Sequence, residues 1–295
     1  MLTNTMQHFQ NCSPMCSYVP MILCGKKNII PLILTLLISF FSLTSFAATV
    51  DTVSIYSNSM HKELKCVVIQ PAAKEETKKF PVVYLLHGYG GWYANWLIRV
   101  PELKKYADEY QLMIVCPDGN NSWYFDSPLD SSIRFETYIG QEVPAYIDQH
   151  YPTINNRKAR AITGLSMGGH GGLYLGFRHA DLFGACGSMS GGLDIRPFPK
   201  SWEIRKMLGD SAQYPENWKN YSAISIIEQK PADHLSIIID CGTDDFFYGV
   251  NKAVHEKMLY LKIPHDYIER PGKHDWAYWA NAVKYQLLFF KTYFN

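Results

Sequence analysis

Short apolar runs recur along the chain, and most end in glycine, proline or a polar turn. Residues 81–87, 112–116, 159–165, 184–189 and 235–241 have the length and composition of strands buried on both faces. Residues 50–57 and 63–70 read as an opening antiparallel pair, and 265–270 as a more polar last strand. Helical patterns fall between them, around 101–110, 135–150, 167–179, 250–261 and 275–293. Strands alternating with helices predict an α/β fold: a mostly parallel central sheet with helices on both faces. Residues 193–233 break the rhythm. They are rich in Trp, Tyr and Pro and are expected to form a cap-like excursion over one end of the sheet, where α/β sheets bind ligands.

The first sixth of the chain has a different pattern. From Met1 to Ala47 there is no Asp or Glu, and the only basic residues are Lys26 and Lys27. An apolar stretch follows and ends in Ser45-Phe46-Ala47-Ala48. A basic region, an apolar core and small residues at −3 and −1 are the pattern of a secretory signal peptide, with cleavage expected after Ala47. Residues 1–20 add nothing such a signal needs, so they read as an upstream extension before Met21. An uncleaved anchor is the alternative, because the apolar stretch is long enough to span a bilayer. Pro31 and the small-residue end favour cleavage. The expectation is a secreted or periplasmic protein with a single domain over 48–295.

Composition then narrows the function classes. Without a 47-residue leader, 248 of the 295 residues remain, and the net charge goes from +1 to −1. Near-neutrality gives no electrostatic case for nucleic acid, and no stable membrane insertion is expected after cleavage. Four of the seven cysteines remain, Cys66, Cys116, Cys186 and Cys241. Their apolar surroundings suit buried free thiols better than a disulfide framework, and their spacing is not that of a zinc site. No metal and no organic cofactor is expected.

The sharpest chemical signal is Gly164-Leu165-Ser166-Met167-Gly168-Gly169, between a predicted strand and a predicted helix. A G-x-S-x-G turn at that junction pushes the serine side chain clear of the sheet. The helix start aims unpaired N–H groups at any oxyanion formed there. A serine hydroxyl needs a base, and the base needs an orienting acid. Asp244 and Asp245 follow the strand 235–241, and either suits the acid by chemistry alone. His274 follows the last strand in the turn Pro271-Gly272-Lys273-His274 and is the candidate base. His87, which precedes the serine, belongs instead to the glycine loop Leu85-Leu86-His87-Gly88-Tyr89-Gly90-Gly91. Glycines there let backbone approach a ligand and leave an N–H free, so the N–H groups of Tyr89 and Met167 are the oxyanion-hole candidates.

These stretches, with Glu142 and Tyr146 in 135–151, Asp181-Leu182-Phe183-Gly184, 188–191 and 241–246, resemble the putative-esterase family of α/β-hydrolases. That family includes esterase D (S-formylglutathione hydrolase), tributyrin-type esterases, feruloyl and acetyl-xylan esterases and mycolyltransferases. The resemblance spans nearly all of 48–295. It implies the α/β-hydrolase fold and a Ser–Asp–His triad whose acid is the third residue after the strand-end glycine, which here is Asp245. His170 departs from the family, which has a small or aromatic residue there.

The expected function is that of an exported serine carboxylesterase acting on acetyl or feruloyl-type esters, with carbohydrate as the carrier. Trp92, Trp123, Phe246 and Trp276 are the substrate-binding candidates, because aromatic walls suit sugar rings and phenolic acyl groups. Trp96, Tyr124, Phe247, Tyr248 and Trp279 fall in the same predicted loops. The alternatives are a thioesterase of the S-formylglutathione hydrolase kind, an acyltransferase, and a carbohydrate-binding module without catalysis. Nothing in the sequence fixes an oligomeric state.

Overall fold

Lengthwise pairing of two chain segments begins the sheet. β1 (Thr49–Ser57) runs antiparallel to β2 (Lys62–Gln70), with Thr49 opposite Gln70 and Ser57 opposite Lys62. The computed structural model describes residues 47–73, 77–229 and 234–295. The leader expected over 1–47, with its extension 1–20, lies outside the described residues except for Ala47. Among the described residues, no helix is long and apolar enough to cross a membrane.

The chain continues through β3 (Val82–Leu86), α1 (Asn95–Arg99), α2 (Leu103–Tyr110) and β4 (Met113–Pro117). Next come α3 (Phe135–Thr137), a π-helical turn over Tyr138–Glu142, α4 (Val143–His150), β5 (Arg160–Gly164), α5 (Met167–Arg178) and β6 (Ala185–Met189). Three short helices follow, α6 (Ile204–Leu208), α7 (Pro215–Asn220) and α8 (Ala223–Gln229). The last elements are β7 (Ser236–Gly242), α9 (Tyr248–Tyr260), β8 (Asp266–Arg270) and α10 (Trp276–Phe294). The strands lie in the order β1-β2-β4-β3-β5-β6-β7-β8. β2 meets β4 antiparallel, and every pair from β4 to β8 is parallel.

Why the inner strands read as unbroken apolar runs is plain from their two faces. Val82, Tyr84 and Leu86 point into one core, with Ile162, Leu173 and Phe177. Val83 and Leu85 point into the other, with Ala107 of α2 and Ala282 and Leu287 of α10. Successive residues face opposite ways, so a strand covered on both sides has to be apolar throughout. All four described cysteines are buried and free.

One departure from the sequence reading has a local cause. The helix expected over 135–150 is interrupted by the π turn, just where Pro144 enters α4. Pro144 has no N–H to return to the preceding turn, and the widened turn absorbs the missing bond. Glu142 in that turn accepts from Ser57 Oγ at 2.5 Å and Ser59 N at 2.8 Å, which ties it to β1 and its turn. The excursion after β6 carries the short helices α6, α7 and α8. Its Trp218 is buried and donates Nε1–H to Gly209 O at 3.0 Å.

Candidate active site

Ser166 stands between the last residue pair of β5 and the first turn of α5, with φ 55° and ψ −115°. That is a costly conformation for a residue with a Cβ, and it persists because both sides of the turn are fixed. Ser166 N donates to Met189 O at 2.9 Å, and His170 N donates to Ser166 O at 3.0 Å. The flanking glycines are required by closeness. A Cβ on Gly164 would lie 2.6 Å from Leu86 O, and one on Gly168 would lie 2.6 Å from both Leu86 O and His87 O. Helix α5 can therefore start directly against β3 only with glycine at these positions.

Three side chains from three strand ends converge there. His274 Nε2 lies 2.9 Å from Ser166 Oγ. His274 Nδ1 lies 2.9 Å and 3.0 Å from the two carboxylate oxygens of Asp245. A carboxylate only accepts, so Nδ1 carries the proton and Nε2 is left to accept from the serine hydroxyl. Asp245 is buried, and it also accepts from Phe247 N at 2.8 Å. Asp244 is exposed and has a different part to play: its N–H donates to Gly272 O at 2.9 Å. The turn after β7 thus aims one carboxylate inward and uses its neighbour's backbone to hold the histidine loop. The imidazole is enclosed by Phe246, Phe247 and Trp279, with ring centroids at 4.2, 5.4 and 4.8 Å.

The glycine loop after β3 forms the facing wall. His87 is buried as a brace: Nδ1–H donates to Gly88 O and Nε2 accepts from Gly119 N, both at 2.8 Å. Tyr124 donates its hydroxyl to His87 O at 2.9 Å, and Gly90 N donates to Asn121 Oδ1 at 2.7 Å. With its neighbours so engaged, the N–H of Tyr89 has no acceptor among the described residues, and neither has that of Met167 at the start of α5.

Ser166 and His274 open into a cavity of about 530 Å³. Trp92, Phe246 and Trp276, named from the sequence as substrate-binding candidates, line it. Trp123 does not: it is 1% exposed, packed edge-on to His170 and against Trp202. Its backbone has φ 55°. Trp96, Tyr124 and Phe247 are buried packing residues, whereas Trp279 reaches the lining. Sequence reasoning missed Trp202 and the α1 residues Asn95, Ile98 and Arg99, which also line the cavity. Trp202 sits in the aromatic-rich excursion, a compositional hint without a position. Helix α1 has only 5 residues, too few for a periodic signal.

The family model described as putative esterase matches residues 57–290. An acetyl esterase of Caldicellulosiruptor saccharolyticus is 28% identical over 259 residues, 79% of this chain and 96% of that protein. The structure of a ferulic acid esterase is 30% identical, with a TM-score of 0.73 over 85% of this chain and 100% of that one. An S-formylglutathione hydrolase of Staphylococcus aureus, 21% identical, has a TM-score of 0.74 over 83% of this chain and 99% of its own, a likeness of fold.

Proposed function

The chain belongs to the putative-esterase family of α/β-hydrolases, and for this carboxylic ester hydrolase we propose a Ser166–His274–Asp245 triad acting on acetyl or feruloyl-type esters carried by carbohydrate. The observation that carries the reading is the continuous relay of Ser166 Oγ, His274 and Asp245, all within 3.0 Å contacts.

In the proposed reaction Ser166 Oγ attacks the ester carbonyl while His274 Nε2 accepts its proton. Asp245 keeps the imidazole in the tautomer that can accept and stabilises the imidazolium that results. The N–H groups of Tyr89 and Met167, and the start of α5 behind them, receive the oxyanion. His274 then passes the proton to the departing alcohol oxygen. Water attacks the acyl-Ser166 carbonyl with His274 as base; as the intermediate collapses His274 returns the proton to Ser166 Oγ, and the carboxylic acid departs.

Support for the substrate class comes from the aromatic lining and from the acetyl esterase and ferulic acid esterase relatives. The leader pattern over 1–47 supports an exported enzyme of one domain, for which acylated polysaccharide is a more accessible substrate than a cytosolic thioester. The test is a panel of p-nitrophenyl acetate, methyl ferulate, acetylated xylan and S-formylglutathione on wild type and Ser166→Ala. Wild type should turn over the oxygen esters and lose nearly all kcat in Ser166→Ala, with a fluorophosphonate labelling only the wild type. A thioester rate far above every oxygen ester would reverse the substrate assignment.

A further inference from the structure

The lining of the cavity is uneven in charge. Among the described lining residues one side chain is permanently charged, Arg99 at the end of α1. Its guanidinium carbon lies 5.8 Å from the ring centroid of Trp276, itself a lining residue, and makes an edge contact with no acid. Trp276 is in turn held edge-to-face by Trp96 at 5.2 Å and Trp279 at 5.5 Å. Trp96 is anchored by donating Nε1–H to Leu86 O at 2.9 Å. The cation is therefore oriented by a stack of indoles whose far end packs on His274. Among the described residues no carboxylate forms an ion pair with Arg99, including Glu102 one turn on and Asp275 beside Trp276. Asp275 is engaged instead in capping α10, where it accepts from Tyr278 N at 2.9 Å.

Arg99 is exposed, so its guanidinium stands at the solvent rim of the cavity beside an aromatic ring and without a counterion, where it can receive an anion. Its planar fork matches a carboxylate. The remaining lining on that side, Asn95, Ile98 and Trp276, is neutral. We infer that Arg99 makes the α1 side of the cavity a subsite for a carboxylate carried by the ester substrate, such as the uronate of an acylated acidic sugar or the free acid of a dicarboxylic half-ester. This rests on the esterase reading of the cavity and adds a charge preference to it.

The experiment compares kcat/KM for charged and neutral partners in two arms. With the charge on the leaving group, p-acetoxybenzoate is set against p-acetoxybenzamide; with the charge on the acyl group, mono-p-nitrophenyl glutarate is set against p-nitrophenyl hexanoate. The charged-to-neutral ratio in at least one arm should fall about three- to fivefold in Arg99→Gln, and by no more than that in Arg99→Lys, which keeps the charge but not the planar fork. The arm that responds identifies which side of the scissile bond carries the carboxylate. A ratio unchanged by Arg99→Gln in both arms overturns the subsite while leaving the esterase intact. No turnover of any of the four esters by wild type would bring down the esterase reading and the subsite with it.

Discussion

Arg270, the last residue of β8, pairs with Asp240 of β7 beneath the turn that carries His274. Asp240 is fully buried, and its other oxygen accepts the hydroxyl of Tyr278, from the first turn of α10. One carboxylate thus ties down both ends of the loop 271–275. Between those ends Gly272 has φ 157° and lies against the Tyr278 ring on one side and Gly242 on the other. The strand that holds the loop is the strand that ends in the turn bearing Asp245, so Asp245 and His274 share one foundation.

Breaking that foundation should damage stability and geometry together. Asp240→Asn keeps the shape but leaves the half-buried Arg270 charge beside a neutral amide, which should cost less than the roughly 3–5 kcal/mol typical of a fully buried pair. Urea denaturation should register the loss as a lower midpoint with an unchanged slope. The rate of fluorophosphonate labelling at Ser166 should fall in the fraction that remains folded. A midpoint equal to wild type would mean that the pair does not hold the loop.

The two neighbouring aspartates should separate cleanly. Asp245→Asn removes the acceptor that fixes the imidazole tautomer and should lower kcat by on the order of 10³–10⁴-fold. Asp244→Asn leaves its backbone bond to Gly272 in place and its side chain is exposed, so activity should change less than about threefold. Steady-state kinetics on one ester decides the matter, and the opposite ranking would reassign the acid.

Trp202 should govern selectivity more than rate. Its ring lines the cavity and stacks on Phe246 at 6.0 Å with a 20° interplanar angle, and Phe246 lies over His274. Trp202→Ala removes one aromatic wall. The expected result is a loss of about tenfold in kcat/KM for methyl ferulate and a smaller loss for p-nitrophenyl acetate, whose acyl group has no ring. Equal losses on both esters would show that Trp202 supports the loop instead of the substrate.

What the sequence carried was the part written in local pattern. The five inner strands stand where apolar runs ended in turn residues, and Ser166 and His274 were marked by glycine turns after strands. Distance along the chain hid the rest. Asp245 was told from Asp244 by family pattern alone, since only the turn geometry decides which of two adjacent carboxylates faces His274. Trp123 and Trp202 have the same composition signal and opposite fates, because the packing of the excursion, not the residue type, chooses which indole reaches the cavity. The helix over 135–150 contains Pro144, a residue that interrupts helical bonding, but the bonds from Ser57 and Ser59 that hold the Glu142 side chain come from β1 and its turn, far earlier in the chain.

His170 makes stability depend on pH. It is fully buried in the second turn of the serine-bearing helix, among the rings of Trp123, Phe125 and Tyr174. Its Nε2–H donates to Tyr221 O at 2.9 Å. Burial pushes the imidazole down to about 4, and the Tyr221 carbonyl and the Asp194 carboxylate offset this only in part. An unfolded histidine takes up its proton near 6.5. Above that value neither state binds the proton, and the full stability is present. As the pH falls from about 6.5 to about 4, the unfolded chain gains a proton that the folded one refuses, so stability declines across that window by on the order of 3 kcal/mol. His170→Phe places an uncharged ring in the same aromatic cluster and should remove this contribution. Urea midpoints at pH 7 and pH 5 should therefore drop more steeply for wild type than for His170→Phe, and parallel drops would show that His170 does not titrate as its burial demands.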